Sequence, residues 1–153
     1  MRNKRLHFIF EGPDGVGKST RINDMLDIFG IEDTKVYAYD KDDLNTYSFW
    51  KKEYERMLSS DLVEIHSRSF LSERLYADVF GREPRITKQE EKALFDFVKN
   101  EANIVVLMPA EYKPYLERLN KRGDYDVVLD NIHIIVQRYK DLIEEYNLDV
   151  NYV

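Results

Sequence analysis

Apolar residues along the chain come in short continuous runs that alternate with stretches where they recur every three or four positions. Residues 6–10 form the first run, bounded by charge on one side and glycines on the other, which predicts a buried parallel strand. After a loop over 12–17, Ile22, Met25, Leu26 and Phe29 repeat with helical spacing, and Gly30 is expected to stop that helix in a left-handed conformation. A second strand is predicted over 35–39, an aromatic-rich helix over 46–58, a weaker strand over 62–66 and a helix over 70–80. Thr87 and Glu90 have the capping-box spacing ahead of Ala93, Leu94, Phe97 and Val98. The clearest later strand covers 104–108, followed by a short helix over 111–121. A longer helix from Asp126 places Val128, Ile132, Ile135, Tyr139, Leu142 and Tyr146 on one face. Residues 148–153 read as a final edge strand. Strands alternating with helices imply an α/β domain: a five-stranded parallel sheet with helices on both faces, spanning 1–153 as one unit. No internal repeat or low-complexity segment breaks the pattern.

The loop after the first strand carries the chemistry. Gly12-Pro13-Asp14-Gly15-Val16-Gly17-Lys18-Ser19 fits the phosphate-binding P-loop in full, between a predicted strand and a predicted helix. Glycines let backbone N–H groups turn inward around phosphate oxygens, and the helix N-terminus adds the positive end of its dipole. Lys18 is placed to reach the β- and γ-phosphates, and the Ser19 hydroxyl to ligate Mg²⁺. Gly12, Asp14, Gly15, Val16, Gly17, Lys18, Ser19 and Thr20 are therefore the expected binding residues for ATP, with Ser19 the metal ligand and the P-loop NTPase fold the expected frame.

Composition narrows the partners. A chain of 153 residues suits one domain. With no cysteine, disulfides, thiol catalysis and thiolate zinc sites are excluded, and the three histidines (His7, His66, His133) are scattered. The net charge of −6 favours a small nucleotide or nucleoside acceptor over a nucleic acid. No apolar run reaches the ~20 residues that span a bilayer, and the basic start at Met1 to Arg5 leads into too short an apolar stretch for a secretory signal. A cytoplasmic protein without a membrane partner is expected.

Three segments resemble known kinases. From Phe10 through Glu11, Gly12 and Asp14 to Thr20 the chain resembles the opening of thymidylate kinases, and no Asn-Lys-x-Asp guanine tetrad supports a GTPase. The run from Ser67, Arg68 and Ser69 to Tyr76 resembles the Glu-Arg-Ser segment of deoxynucleoside kinases and the Asp-Arg segment of thymidylate kinases, which implies that Arg68 contacts the acceptor. Arg118 and Arg122, four apart on a predicted helix, match the lid region that closes over the migrating phosphoryl group. The chain is shorter than typical members, implying trimmed peripheral helices and lid, and such compactness would suit a virus or phage.

Departures are equally specific. Ser67 stands where the family carries a carboxylate, with Glu64 and His66 on one strand face nearby. The segment after Tyr39 lacks the family's Glu-Pro signatures. Asp40 takes the position of the acid that orients or deprotonates the acceptor, with Asp42 in reserve. Trp50 and Tyr76 are the aromatic candidates for a base clamp. The resemblance implies phosphoryl transfer from ATP to a deoxynucleoside monophosphate, a role to which the cations Arg82 and Arg85 would add, and it implies a homodimer. A deoxynucleoside kinase, a kinase acting on a modified base in DNA, and a non-catalytic nucleotide-binding protein remain open alternatives.

Overall fold

The computed structural model describes residues 6–40, 45–123 and 126–153, with backbone alone at 126 and 127. Five strands, β1 (His7–Glu11), β2 (Thr34–Ala38), β3 (Val63–Ser67), β4 (Asn103–Met108) and β5 (Asp149–Tyr152), form one sheet in the order β2-β3-β1-β4-β5. Every pairing is parallel. The expected five-stranded parallel α/β architecture is the observed one.

Among the described residues, six α-helices connect the strands: α1 (Lys18–Phe29), α2 (Tyr47–Leu58), α3 (Leu71–Phe80), α4 (Lys88–Val98), α5 (Tyr112–Arg122) and α6 (Asp126–Tyr146). A short 3₁₀ turn, Ile31–Asp33, precedes β2. Ile9 of β1 pairs with His66 on one side and Ile104 on the other, so the central strand is covered on both edges as well as both faces. Ile9, Ile65, Val106 and Leu107 are buried, the burial that continuous apolar strands require. On α2, Trp50, Tyr54 and Met57 form the inward face at helical spacing. Thr87 and Glu90 do form a capping box, with Thr87 Oγ1 accepting from the Glu90 N–H at 3.1 Å and Glu90 Oε1 from the Thr87 N–H at 2.9 Å.

Two local expectations change. Gly30 does end α1, its N–H bonding the Leu26 carbonyl, and its φ of 87° is positive as expected, but ψ 139° takes it outside the left-handed helical region. Tyr139 does not simply join an apolar face; its ring is buried but its hydroxyl enters a polar network. Because β1 lies between β3 and β4, the connections diverge at its carboxyl end, and the crevice where an open α/β sheet binds ligands opens there.

Candidate phosphate-binding site

The turn from β1 into α1 approaches its neighbours too closely for side chains. A Cβ on Gly12 (φ 145°) would lie 2.4 Å from the Leu107 carbonyl oxygen. One on Gly15 (φ 70°) would lie 2.6 Å from Leu119 Cδ2 and 2.8 Å from Arg122 Nη1. The missing side chains thus let β4 and α5 close on the loop. Val16 is buried beneath it, Gly17 occupies the N-cap of α1, and Ser19 and Thr20 are exposed on the first turn. Tyr115 of α5 donates its hydroxyl to the Asp14 carbonyl, a second tie between that helix and the loop.

Lys18 Nζ donates to the carbonyls of Gly12 at 2.8 Å and Pro13 at 3.2 Å. Burial first, and the Arg68 cation second, bring its ammonium down to about 7; Asp14 opposes the shift. Arg68 follows β3 with φ 76°, a left-handed conformation that costs a non-glycine residue about 1 kcal/mol or more. Its backbone N–H bonds the Phe10 carbonyl at 2.8 Å, continuing the β1–β3 ladder, and the turn sends its side chain towards the loop. There Nη2 donates to Asp14 Oδ1 at 2.5 Å, and the guanidinium carbon lies 5.0 Å from the centre of the Tyr76 ring.

Beneath this pair is a fully buried carboxylate. Glu11 accepts from Ser69 Oγ at 2.6 Å, from Ser72 Oγ at 2.5 and 2.6 Å, and from the Tyr139 hydroxyl at 2.9 Å. A buried charge needs such partners, and three hydroxyls supply them here.

No protein-family model matches the chain, and no curated protein matches it in sequence. Solved structures match in shape. The YorR protein of Bacillus subtilis, in complex with phosphorylated GDP, superposes with TM-score 0.71 at 21% identity, over 97% of this chain and 85% of that one. Polyphosphate kinase 2 of Arthrobacter aurescens gives 0.68 at 16%, over 97% of this chain and 61% of the kinase. Thymidylate kinase of Ehrlichia chaffeensis gives 0.51 at 12%, over 97% and 86%. The fold is the α/β P-loop NTPase fold.

Within that fold, the expected site residues separate into those brought together and those held apart. Lys18, Asp14, Arg68 and Arg122 converge on the loop, and Arg122 is close enough to add to the depression of the Lys18 charge. Arg118, one turn earlier on α5, is exposed, 5.9 Å from the centre of the Tyr115 ring. Asp40 is exposed beyond the end of β2, which pairs with β3, the Tyr39 N–H bonding the Ser67 carbonyl at 3.0 Å one residue before Arg68. Asp42 lies outside the described residues. Ser67 pairs with Phe10 at the carboxyl end of β3, and Glu64 and His66 bond each other at 2.9 Å on the shared face.

Trp50 and Tyr76 are both fully buried, so neither presents a face on which a base could stack; they belong to the core. Arg82 pairs with the buried Glu73 at 2.8 Å, and Arg85 lies 4.0 Å from the same carboxylate. A groove of about 480 Å³ between α3, α4 and α6 contains Arg74, Arg82, Lys88 and Arg138, balanced by four carboxylates. No P-loop residue lines it, so it is not the nucleotide cleft.

Sequence reasoning missed the Glu11 network. Glu11 was visible as a residue that phosphate binding alone does not need, but its partners were not. Ser69 and Ser72 have ordinary helix-start spacing, and Tyr139 lies 128 positions away on a helix whose periodicity marks it as core.

Proposed function

We propose that the chain binds ATP through residues 12–19 and transfers the terminal phosphoryl group to a deoxynucleoside monophosphate, in the manner of a thymidylate kinase. The observation that carries this reading is the convergence of Lys18, Arg68 and Arg122 on one glycine loop at the carboxyl end of the central strand. Three cations around a cradle of backbone N–H groups suit two bound phosphate chains that must approach each other.

Lys18 would leave the Gly12 and Pro13 carbonyls for the β- and γ-phosphate oxygens, and the loop N–H groups would complete the cradle. Arg68 would hold the acceptor phosphate, and Arg122, with Arg118 as the lid moved, would offset charge on the migrating group. The residues present fit magnesium in one way. Glu11 is engaged by hydroxyls and Asp14 Oδ1 by Arg68, whereas the Ser19 hydroxyl is exposed beside Lys18, and Mg²⁺ is commonly held by few protein groups together with phosphates and water. Bound there, Mg²⁺ would neutralise phosphate charge.

Acceptor chemistry favours the monophosphate. The transfer forms a bond from an acceptor oxygen to the γ-phosphorus and breaks the bond to the β–γ bridging oxygen, leaving ADP. A phosphate dianion attacks without giving up a proton, whereas a sugar hydroxyl needs a base. Ser67 is no base, Glu11 is engaged by hydroxyls and Asp14 Oδ1 by Arg68, so a hydroxyl acceptor would have to rely on Asp40, exposed beyond the end of β2 beside β3. The same saturation gives the second reading, a protein that binds nucleotide without turnover.

Coupled ADP release decides between them, with ATP·Mg²⁺ as donor and deoxynucleosides, their 5′-monophosphates and duplex DNA as acceptors. Turnover on a monophosphate, abolished by Lys18→Ala, is the expected result. Nucleotide binding with no turnover on any acceptor would establish the second reading.

A further inference from the structure

Arg68 is held by more than Asp14. Its Nη1 lies 3.2 Å from the Tyr76 hydroxyl and 3.4 Å from the Tyr139 hydroxyl. A phenol oxygen that accepts from a guanidinium must send its own proton elsewhere, because arginine has no acceptor. For Tyr139 that destination is Glu11 Oε2, at 2.9 Å. Glu11 is in turn fixed by Ser69 and Ser72, so it cannot follow Tyr139 if the ring shifts. Tyr139 thus spans the gap between the one fully buried carboxylate at the loop and the acceptor-side arginine, from a helix that begins four residues after α5 ends.

We propose that Tyr139 is a positioning residue: Glu11 sets the direction of its O–H, and its oxygen then fixes the orientation of the Arg68 guanidinium at the phosphoryl-transfer site. What Arg68 does rests on the acceptor role proposed above, while how it is held does not. Without the hydroxyl, Nη1 keeps only Tyr76, whose oxygen has no second hydrogen-bond partner among the described residues to direct it. The guanidinium then turns about the Asp14 contact.

The control lies on the same helix. Tyr146 also gives its hydroxyl to a buried carboxylate, Glu91 at 2.7 Å, but away from the loop. Tyr139→Phe and Tyr146→Phe therefore each remove one phenol–carboxylate bond, fully buried at Tyr139 and half-buried at Tyr146, and only the first touches Arg68. Nitrogen-detected NMR of the full chain, with the Arg68 side-chain signals assigned through Arg68→Lys, reads the guanidinium directly.

Separate, slowly exchanging Nη signals are expected in the parent and in Tyr146→Phe, and merged signals in Tyr139→Phe. Glu11→Gln supplies a second variant: its amide can donate to Tyr139 and reverse the O–H, so the signals should merge with the phenol still present. If an acceptor is turned over, Tyr139→Phe should lower kcat/KM for it about ten-fold and leave KM for ATP within about two-fold. Unmerged signals in both Tyr139→Phe and Glu11→Gln, or equal merging in Tyr146→Phe, overturn the proposal. An absence of turnover on every acceptor removes the kinase reading, and the NMR comparison still decides the role of Tyr139.

Discussion

Lys18 illustrates how a single residue couples the local electrostatics to function. Its ammonium titrates near 7 because burial and the Arg68 charge both disfavour it. The free lysine value is 10.5, so below about pH 7 the folded protein carries a disfavoured charge, and stability from this group rises as pH climbs from about 7 to 10.5. Nucleotide binding runs the other way, because γ-phosphate oxygens favour the charged form. Binding of ATP·Mg²⁺ at pH 8 should take up protons, and affinity should fall as pH rises through 7. Calorimetry in buffers of different ionisation enthalpy measures this directly; equal apparent heats in both buffers would contradict it. Gly15 gives a steric test at the same scale. Gly15→Ala places a methyl 2.6 Å from Leu119 and forces φ 70° on an alanine, so we expect a loss of about 1–3 kcal/mol in urea unfolding, together with weakened nucleotide binding. The loop glycines and Lys18 were legible because each chemical need names a residue type. Arg68 was legible as a residue, but its left-handed backbone was not, since nothing in a serine-rich turn signals positive φ.

Helices and strands were the most readable level. The interval between apolar residues locates α2, α4 and α6 within a residue or so of their observed ends, because burial against the sheet imposes that interval. The capping box was equally plain, since Thr87 and Glu90 satisfy one another locally. Thr87→Ala should cost about 1 kcal/mol, read as a shift in the urea midpoint without a change in slope. The aromatic residues of α2 were misleading, because a ring used for packing and a ring used for stacking have the same spacing. Trp50 is fully buried and, among the described residues, its Nε1 has no hydrogen-bond partner. Trp50→Phe removes that stranded N–H along with some volume, so it should cost less than about 2 kcal/mol, against about 3–5 kcal/mol for Trp50→Ala. A cost for Trp50→Phe as large as that for Trp50→Ala would mean that the indole nitrogen is bonded.

The whole molecule assembles the site from distant parts of the chain. The loop comes from the β1–α1 turn, Arg68 from the end of β3, Arg122 from α5 and Tyr139 from α6, and the parallel order β2-β3-β1-β4-β5 brings them to one end of the sheet. Pairings of this kind are set by topology, which is why the Glu11–Tyr139 contact could not be read from spacing. The net charge of −6 disfavours duplex DNA even though the cleft itself holds three cations. The central claim is that those cations serve phosphoryl transfer to a phosphorylated acceptor. The most direct measurement is ADP release from ATP·Mg²⁺ with each deoxynucleoside 5′-monophosphate, for the parent chain, Lys18→Ala and Arg68→Ala. Release that depends on a monophosphate, is lost in Lys18→Ala and drops by about a hundred-fold or more in kcat/KM in Arg68→Ala is the predicted result. Release that is indifferent to the Arg68 substitution, or confined to acceptors without a phosphate, would contradict it.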